Sequence, residues 1–186
     1  MTKYAAICIE NRFDVAEIVA QHKKYLPDYF DMVHIKDESI KTEQDYNHLL
    51  TSKVFWESLP YDKVLIFQHD SKLLRKGIEE FYDYDYVGAP WTFQKHGGNG
   101  GLSFRDVIAM KKCLELSVWN NRLSNEDVFF SNIMFRNPTL FNLAPREVCS
   151  KFSCEVIFQI GTLGVHAIER YLTHEQCDQI LNQYKI

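Results

Sequence analysis

Four segments of the chain, in a fixed order, carry side chains with chemical potential. Asp70 follows an apolar run, Gly97–Gly101 holds four of the eight glycines, Asn125–Asp127 precedes a second apolar run, and His166 comes late. A carboxylate such as Asp70 can hold a divalent cation, and one acid of the pair Glu126–Asp127 can act as a general base toward a hydroxyl. Backbone that lacks Cβ atoms can approach a ligand closely.

Each segment also has an ordinary structural explanation. Asp70 could form a turn, because aspartate accepts hydrogen bonds from nearby backbone N–H groups. Gly97–Gly101 has neither the Gly-Lys-Ser/Thr ending of a phosphate loop nor GxGxxG spacing, so it could be a flexible turn. Glu126 and Asp127 could favour the start of a helix, and a lone histidine such as His166 could be structural. The combination of the four segments is therefore more informative than any one of them.

The composition bounds the class of protein. The chain has 186 residues, 46% hydrophobic and 25% charged, and its net charge is −4 from 25 acidic and 21 basic residues. These values are typical of a folded domain and exclude a disordered or collagen-like chain. A protein that coats nucleic acid or an anionic membrane normally has a basic excess, so no nucleic-acid partner is expected. We expect a single domain over residues 1–186.

Cysteine usage and hydropathy indicate the compartment. The five cysteines form no CxxC pair, which indicates free thiols and neither a complete disulfide framework nor a zinc ribbon. The first residues lack the apolar stretch of a signal peptide, and no window approaches the roughly 18 apolar residues of a membrane span. We therefore expect a soluble, cytoplasmic protein with no integral membrane segment.

The elements that would position the four segments form an α/β pattern. Apolar runs at 5–9, 30–35 and 63–67 predict strands, and a helical period from Asp14 to Leu26 joins the first two. This βαβ unit predicts a mixed, mostly parallel sheet flanked by helices. Asp70 would then follow the carboxyl end of a central strand, where open α/β sheets bind ligands.

Further elements are predicted downstream of this unit. Periodicity and end signals place a strand at 84–88 and helices at 45–59, 78–81, 106–116, 125–135 and 173–184. Thr173 and Gln176 occupy capping-box positions at the start of the last helix. The glycine loop would therefore connect a strand to the segment that leads into the helix at 106–116.

The order of these segments resembles the GT-A class of nucleotide-sugar-dependent glycosyltransferases, and more closely a family of small GT-A-like domains of microbes and large viruses. The similarity covers most of residues 4–172, and the block from Phe67 to Arg105 is its most specific part. The stretches that carry it are Phe55–Glu57, Leu65–Ser71, Tyr84–Trp91, Gly98–Arg105, Asn125–Phe130 and Gly164–His166. The resemblance implies a single-domain GT-A-like, Rossmann-like α/β fold.

The resemblance also implies catalytic and metal-binding roles. Asp70 would match the last acid of the metal-binding DxD motif, and His166 the late histidine that completes the site. Mn2+ or Mg2+ is the implied cofactor, and an imidazole ligand favours Mn2+. Asp127, with Glu126 beside it, would match the base of the xED motif. Gln68 replaces the first DxD acid, which leaves weaker metal binding or metal-independent transfer open.

The remaining implied contacts concern the donor and the acceptor. Residues expected to contact the nucleotide are Glu10, Asn11, Arg12, Gln68 and His69. Residues expected to contact the donor sugar are Trp91, Asn99, Gly100, Gly101 and Ser103. Uridine diphosphate is the commonest carrier in this fold class, so the expected donor is a UDP-sugar. The expected acceptor is a hydroxyl of a glycan or glycoprotein.

Three functions fit the sequence, in decreasing order of support. The first is an inverting glycosyltransferase, in which Asp127 deprotonates the acceptor hydroxyl during a single displacement. The second is a non-catalytic glycan-binding or nucleotide-sugar-binding module, in which Gln68 marks a lost metal site. The third is a nucleotidyltransferase, although the loop Glu10–Phe13 lacks the glycine-rich, basic signature of that class.

Overall fold

The computed structural model describes residues 2–120 and 124–184. Residues 1, 121–123 and 185–186 of the predicted 1–186 domain lie outside the described residues. The strands and helices, in chain order, are β1 (Tyr4–Ile9), α1 (Ala16–Tyr25), β2 (Phe30–Ile35), α2 (Glu43–Leu50), α3 (Lys53–Ser58), β3 (Lys63–Phe67), β4 (Ser71–Leu73), β5 (Tyr86–Gly88), β6 (Leu102–Asp106), α4 (Val107–Leu116), α5 (Glu126–Arg136), α6 (Arg146–Phe152), β7 (Ser153–Cys154), β8 (Gly164–His166) and α7 (His174–Asn182). Short 3-10 helices cover Ile78–Phe81 and Ile168–Arg170.

The main sheet has five strands in the order β2-β1-β3-β6-β5. β1 pairs in parallel with β2 and β3, and β6 pairs antiparallel with β3 and β5. Four of the five strands therefore run in the same direction, and β6 is reversed. The prediction of an α/β fold with a mixed, mostly parallel sheet flanked by helices is confirmed.

Both faces of this sheet are buried. On β1, Ala5 and Ile7 enter a core formed with α3, α4 and α5, whereas Ala6 and Cys8 enter a second core formed with residues around α1 and α6. Strands that are buried on two faces have apolar residues at every position, which explains the continuous apolar run in the sequence. All five cysteines are buried and free. Within the described ranges, no helix has the length and apolar character needed to cross a bilayer.

A second, smaller sheet was not predicted. Its three strands are in the order β4-β8-β7, where Ser71 pairs with His166 and Cys154 pairs with Val165. β7 has only two residues and β8 only three, so neither gives a periodic signal. Because β4 follows β3 almost directly, this sheet lies beyond the carboxyl end of a central strand of the main sheet.

The predicted single helix at 45–59 is wrong, because the structure has two helices there. α2 begins with a capping box between Thr42 and Asp45 and ends at Leu50, and the hydroxyl of the following residue, Thr51, donates to the Asn47 carbonyl at 2.7 Å. α3 then packs back on the end of α2, and Trp56 Nε1 donates to the Leu50 carbonyl at 2.6 Å. The strand predicted at 84–88 is shorter in the structure, where β5 covers only Tyr86–Gly88. The helix predicted from Asp14 begins at Ala16.

Candidate functional site

A cleft of about 540 Å³ opens at the carboxyl ends of β1 and β3. Its walls are the loops after β1 and β2, the glycine loop before β6, the start of α5 and the end of the small sheet. Eleven residues predicted from the sequence line it, namely Glu10, Asn11, Arg12, Gln68, His69, Asn99, Gly100, Gly101, Glu126, Asp127 and His166. The structure thus brings the glycine loop, Asn125–Asp127 and His166 to one cleft, together with Gln68 and His69, which directly precede Asp70.

Asp127 is a buried carboxylate in the wall of this cleft. Its side chain accepts hydrogen bonds from the backbone N–H groups of Gly100 at 3.0 Å and Val128 at 2.7 Å. Burial, and then the negative charge of Glu126, raise the pKa of Asp127 to about 7. A carboxyl group with a pKa near the working pH is suited to general base catalysis.

Glu126 has a different environment, because it is paired with Arg105. Both guanidinium Nη atoms donate to its carboxylate, at 2.6 and 2.7 Å, and both side chains are buried. Burial would lower the pKa of Arg105, but Glu126 raises it above its ordinary value. Both oxygens of Glu126 are therefore ion-paired with Arg105, whereas those of Asp127 accept only backbone N–H groups, so Asp127 is the better placed of the two predicted catalytic acids to accept a proton.

The same arginine supports the glycine loop. Arg105 Nε donates to Ser103 Oγ at 2.8 Å, and Ser103 Oγ donates to the Gly100 carbonyl at 3.0 Å. Ser103 was expected to face the donor sugar, but it is fully buried beneath the loop. Trp91 also differs from expectation, since it is buried, stacks on Phe93 at 5.2 Å and does not line the cleft. The structure therefore gives these two residues supporting positions.

The other end of the glycine loop contacts His166. A Cβ atom added to Gly101 would collide with the imidazole ring, so only glycine permits this approach. The Gly101 carbonyl accepts a hydrogen bond from Gln68 N at 2.8 Å, and Gln68 Oε1 lies 3.0 Å from His166 Nε2. The loop thus connects Asp127 on one side of the cleft to His166 on the other.

His166 lies between two carboxylates, one at each ring nitrogen. Nε2 is 3.2 Å from Asp70 Oδ1, and Nδ1 is 3.1 Å from Glu155 Oε1. The pairing of β8 with β4 and β7 produces this arrangement, because Asp70 precedes β4 and Glu155 follows β7. Burial would lower the pKa of His166, but the two carboxylates outweigh it and raise the pKa to about 9.

Asp70 is partly covered in this structure and is not among the residues that line the cleft. Its Oδ2 accepts a hydrogen bond from Arg170 Nη2 at 2.7 Å. Burial would raise the pKa of Asp70, but His166, His69 and Arg170 together lower it to about 2. Its Oδ1 is buried and forms no well-aligned hydrogen bond, although it faces His166. A buried acceptor without a well-aligned hydrogen bond is rare, and the protonated imidazole of His166, or a metal ion in place of its proton, would supply the compensating positive charge.

The atoms around His166 fit a divalent metal ion. Gln68 Oε1, Asp70 Oδ1 and His166 Nε2 converge, with separations of 3.0 and 3.2 Å from the histidine nitrogen. A carboxylate oxygen, an amide oxygen and an imidazole nitrogen together suit Mn2+. Across residues 2–120 and 124–184, no group of three His, Cys, Asp or Glu side chains could hold a metal, so a metal ion at this position would also need the amide oxygen of Gln68.

Glu10 stabilises the wall of the cleft that is formed by the loop after β1. The Arg12 side chain donates to the Glu10 carboxylate at 2.8 and 3.0 Å, and His69 Nδ1 lies 3.2 Å from it. Hydrogen bonds from Arg12 are the main reason that the pKa of Glu10 falls to about 2. Asn11 Nδ2 donates to two backbone carbonyls of the loop after β2, at 2.9 and 3.0 Å. Glu10 and Asn11 therefore hold the wall, while the side chain of Arg12 is 59% exposed.

Sequence reasoning missed two charged residues at the small sheet. Glu155 and Arg170 both line the cleft, on either side of β8 in the chain. Neither belongs to a recognisable motif. The available signal was the charge of Glu155 within the otherwise apolar stretch Cys154–Phe158, since a charge in an apolar stretch is rarely buried without a partner.

Residues 29–166 match the family described as "Protein of unknown function (DUF5672)". The chain belongs to this family. The matched DUF5672 region contains β2 to β8, and thus the glycine loop, Asp127 and His166, whereas β1 and the loop from Glu10 to Arg12 precede it. No curated protein matches the chain.

Two solved glycosyltransferase structures share the fold of this DUF5672 member. The apo form of GlyE from Streptococcus pneumoniae TIGR4 has a TM-score of 0.52 at 10% identity, covering 93% of this chain and 55% of GlyE. A glycosyltransferase involved in the glycosylation of the major capsid of PBCV-1 has a TM-score of 0.56 at 13% identity, covering 88% of this chain and 94% of that protein. The chain thus spans about half the length of GlyE. At such low identities the likeness is one of fold.

Proposed function

We propose that this protein is a glycosyltransferase that takes its sugar from a nucleotide diphosphate sugar. The observation that carries the proposal is that one glycine loop contacts both Asp127 and His166 at the same cleft. Asp127 is a buried carboxylate with a pKa of about 7, and His166 lies among atoms that could bind a cation. The fold shared with two glycosyltransferases supports the same activity.

The donor is expected to lie between the loop after β1 and the glycine loop. Arg12 and Arg170 line the cleft with side chains that are 59% and 60% exposed, and both can bind the phosphates of the donor. The backbone from Asn99 to Gly101 separates Asp127 from His166, so a sugar packed on it would lie between them. We propose a UDP-sugar as the donor, by analogy with the fold class.

The metal site is proposed at Gln68, Asp70 and His166. Mn2+ or Mg2+ bound there would stabilise the negative charge that develops on the leaving diphosphate. The chain itself contributes Arg12 and Arg170 to the same charge, and the glycine loop keeps the imidazole of His166 in place.

Asp127 is the proposed general base. It accepts the proton of an acceptor hydroxyl on a glycan or glycoprotein while the hydroxyl oxygen bonds to the anomeric carbon of the sugar. The bond from that carbon to the diphosphate oxygen breaks, and the electron pair leaves with the nucleotide diphosphate. Since one base and one displacement suffice, the configuration at the anomeric carbon is inverted.

Asp127→Asn tests this function. The amide keeps the size of the side chain but cannot accept the proton, so release of UDP from its cognate UDP-sugar should fall by about 10²–10⁴-fold. UDP binding, measured by calorimetry, should stay near the wild-type value. Asp178→Asn is the matched control, because Asp178 is exposed on α7, away from the cleft. Unchanged turnover in Asp127→Asn would remove the proposed base.

A second candidate is a non-catalytic nucleotide-sugar-binding module. Gln68 in place of an acid, together with the ion pair of Asp70 with Arg170 at 2.7 Å, favours it. UDP binding by the wild-type protein, with no release of UDP from any UDP-sugar or of GDP from any GDP-sugar in a donor panel, would support this candidate over the transferase.

A further inference from the structure

Glu155 is a buried carboxylate that no sequence motif marks. Its side chain is 4% exposed, and Oε1 lies 3.1 Å from His166 Nδ1. Its other oxygen, Oε2, is buried and has no hydrogen-bond partner among the described residues. Removing a carboxylate from water is strongly unfavourable unless a positive group compensates its charge. Glu155 therefore requires a positive partner.

Within residues 2–120 and 124–184, the ion-pair partner of Glu155 is His166 alone. The three-stranded small sheet favours this contact, since Cys154 and Val165 are paired, Glu155 directly follows β7, and His166 is the last residue of β8. The negative charge of Glu155 thus lies directly beside the imidazole.

This contact also sets the direction of the imidazole. With Nδ1 occupied by Glu155, Nε2 faces Gln68 Oε1 at 3.0 Å and Asp70 Oδ1 at 3.2 Å. Gly101 packs against the ring and leaves no room for a Cβ atom. Carboxylates that bind the second nitrogen of a metal-ligating histidine fix its tautomer and raise its basicity as a ligand.

The number of negative charges at the proposed metal site makes the contact between Glu155 and His166 important. Gln68 brings an amide to the proposed metal site, so the site has one carboxylate, Asp70, in direct reach. Glu155 adds a second negative charge on the far side of His166. We propose that Glu155 is a positioning residue for the cation site, which orients His166 and supplies through the imidazole the negative charge that Gln68 does not provide. This inference rests on the metal site of the proposed function.

Mn2+ binding by the purified protein tests the inference without any turnover. Calorimetry with Mn2+ alone, and electron paramagnetic resonance of free Mn2+, should give an affinity that falls about 10–100-fold in Glu155→Gln, the usual cost of removing such a partner. Glu155→Leu, which removes the hydrogen bond as well as the charge, should weaken binding further. Glu147→Gln on α6 is the matched control, because Glu147 is exposed and undergoes the same change of charge.

A second variant separates the charge effect from damage to the fold. Gln68→Asp places a carboxylate directly at the site. In the Glu155→Gln background, this substitution should raise the Mn2+ affinity at least tenfold. In the wild-type background the same substitution should raise the affinity by a smaller factor. Restoration shows that the single variant is folded and that charge was the quantity lost.

The outcomes separate this inference from the proposed function. Equal Mn2+ affinity in wild type, Glu155→Gln and Glu155→Leu would overturn the role of Glu155 and leave the metal site intact. No Mn2+ binding by the wild-type protein, with or without UDP, would overturn the metal site and the role of Glu155 with it. A loss in Glu155→Gln that Gln68→Asp does not restore would contradict the charge argument.

Discussion

At the residue scale, the proposed chemistry depends on the protonation of Asp127. Burial and the charge of Glu126 raise its pKa to about 7, whereas an ordinary aspartate has a pKa of about 3.9. The base acts in its deprotonated form, so UDP release should be slow at pH 5, half-maximal near pH 7 and constant above about pH 8. A pH profile of kcat/KM from pH 5 to 9 measures this. A flat profile, or a midpoint near pH 4, would contradict the assignment.

The same pKa has a consequence for stability. Folded Asp127 binds its proton more tightly than the unfolded chain does, because its pKa is raised on folding. Its contribution to the free energy of unfolding is therefore fully present below the unfolded pKa of about 3.9 and is lost as the pH rises through about 7. We expect urea denaturation to show a fall in stability over this range that is smaller in Asp127→Asn. An identical fall in the variant would contradict the shift.

The buried pair of Arg105 and Glu126 leads to a second stability prediction. Arg105→Met leaves the Glu126 carboxylate buried without its partner and should lower the free energy of unfolding by about 3–5 kcal/mol. Replacing both residues by methionine should cost much less, because no unpaired charge is left behind. Urea denaturation of the two variants measures the difference. Equal losses in the single and double variants would contradict this interpretation of the pair.

Motifs predicted the chemistry of single residues better than their orientation. Asp70, Asp127 and His166 were identified from residue type and order, and the structure brings them to the same part of the molecule. Residue type alone left either acid of the pair open as the base and the motif resemblance favoured Asp127, whereas the partner Arg105 that distinguishes the two acids lies on β6. A pairing of this kind depends on tertiary contacts that one sequence does not display.

At the scale of elements, the glycine loop connects the two halves of the proposed site. A Cβ atom at Gly100 would collide with the Glu126 carboxylate, and one at Gly101 would collide with His166. Gly100→Ala should therefore lower turnover with little effect on Mn2+-dependent UDP binding, whereas Gly101→Ala should weaken that binding first. Calorimetry and UDP release, measured on both variants, check this pair of effects. The same defect in both variants would contradict the division of the loop.

Longer elements were predictable and short ones were not. The strands at 30–35 and 63–67 match β2 and β3 residue for residue, because five or six consecutive apolar or alternating residues give a clear pattern. The small sheet depends on two- and three-residue strands whose pairing is determined by long-range contacts. Glu155 and Arg170 were missed for the same reason, since they lie beside these strands.

At the scale of the whole molecule, the two sheets together form one site. The main sheet supplies the edge at which β1 and β3 end, and the small sheet closes this edge with His166, Glu155 and Asp70. The glycine loop, which leads into the reversed strand β6, and the start of α5 form the remaining wall of the cleft. The similarity to a PBCV-1 glycosyltransferase covers 94% of that protein, so a chain of about this size can hold the shared fold.

Binding of the donor is the most direct test of the central claim, that this cleft holds a nucleotide diphosphate sugar for transfer. Thermal unfolding is measured with a panel of UDP-sugars and GDP-sugars, with and without Mn2+. A ligand at 100 times its dissociation constant stabilises the folded state by about 2.7 kcal/mol, roughly 5–10 °C for a chain of this length. We predict such a shift for a UDP-sugar, larger with Mn2+ than without it and smaller in Asp70→Ala. No shift with any nucleotide sugar, in either condition, would contradict the account.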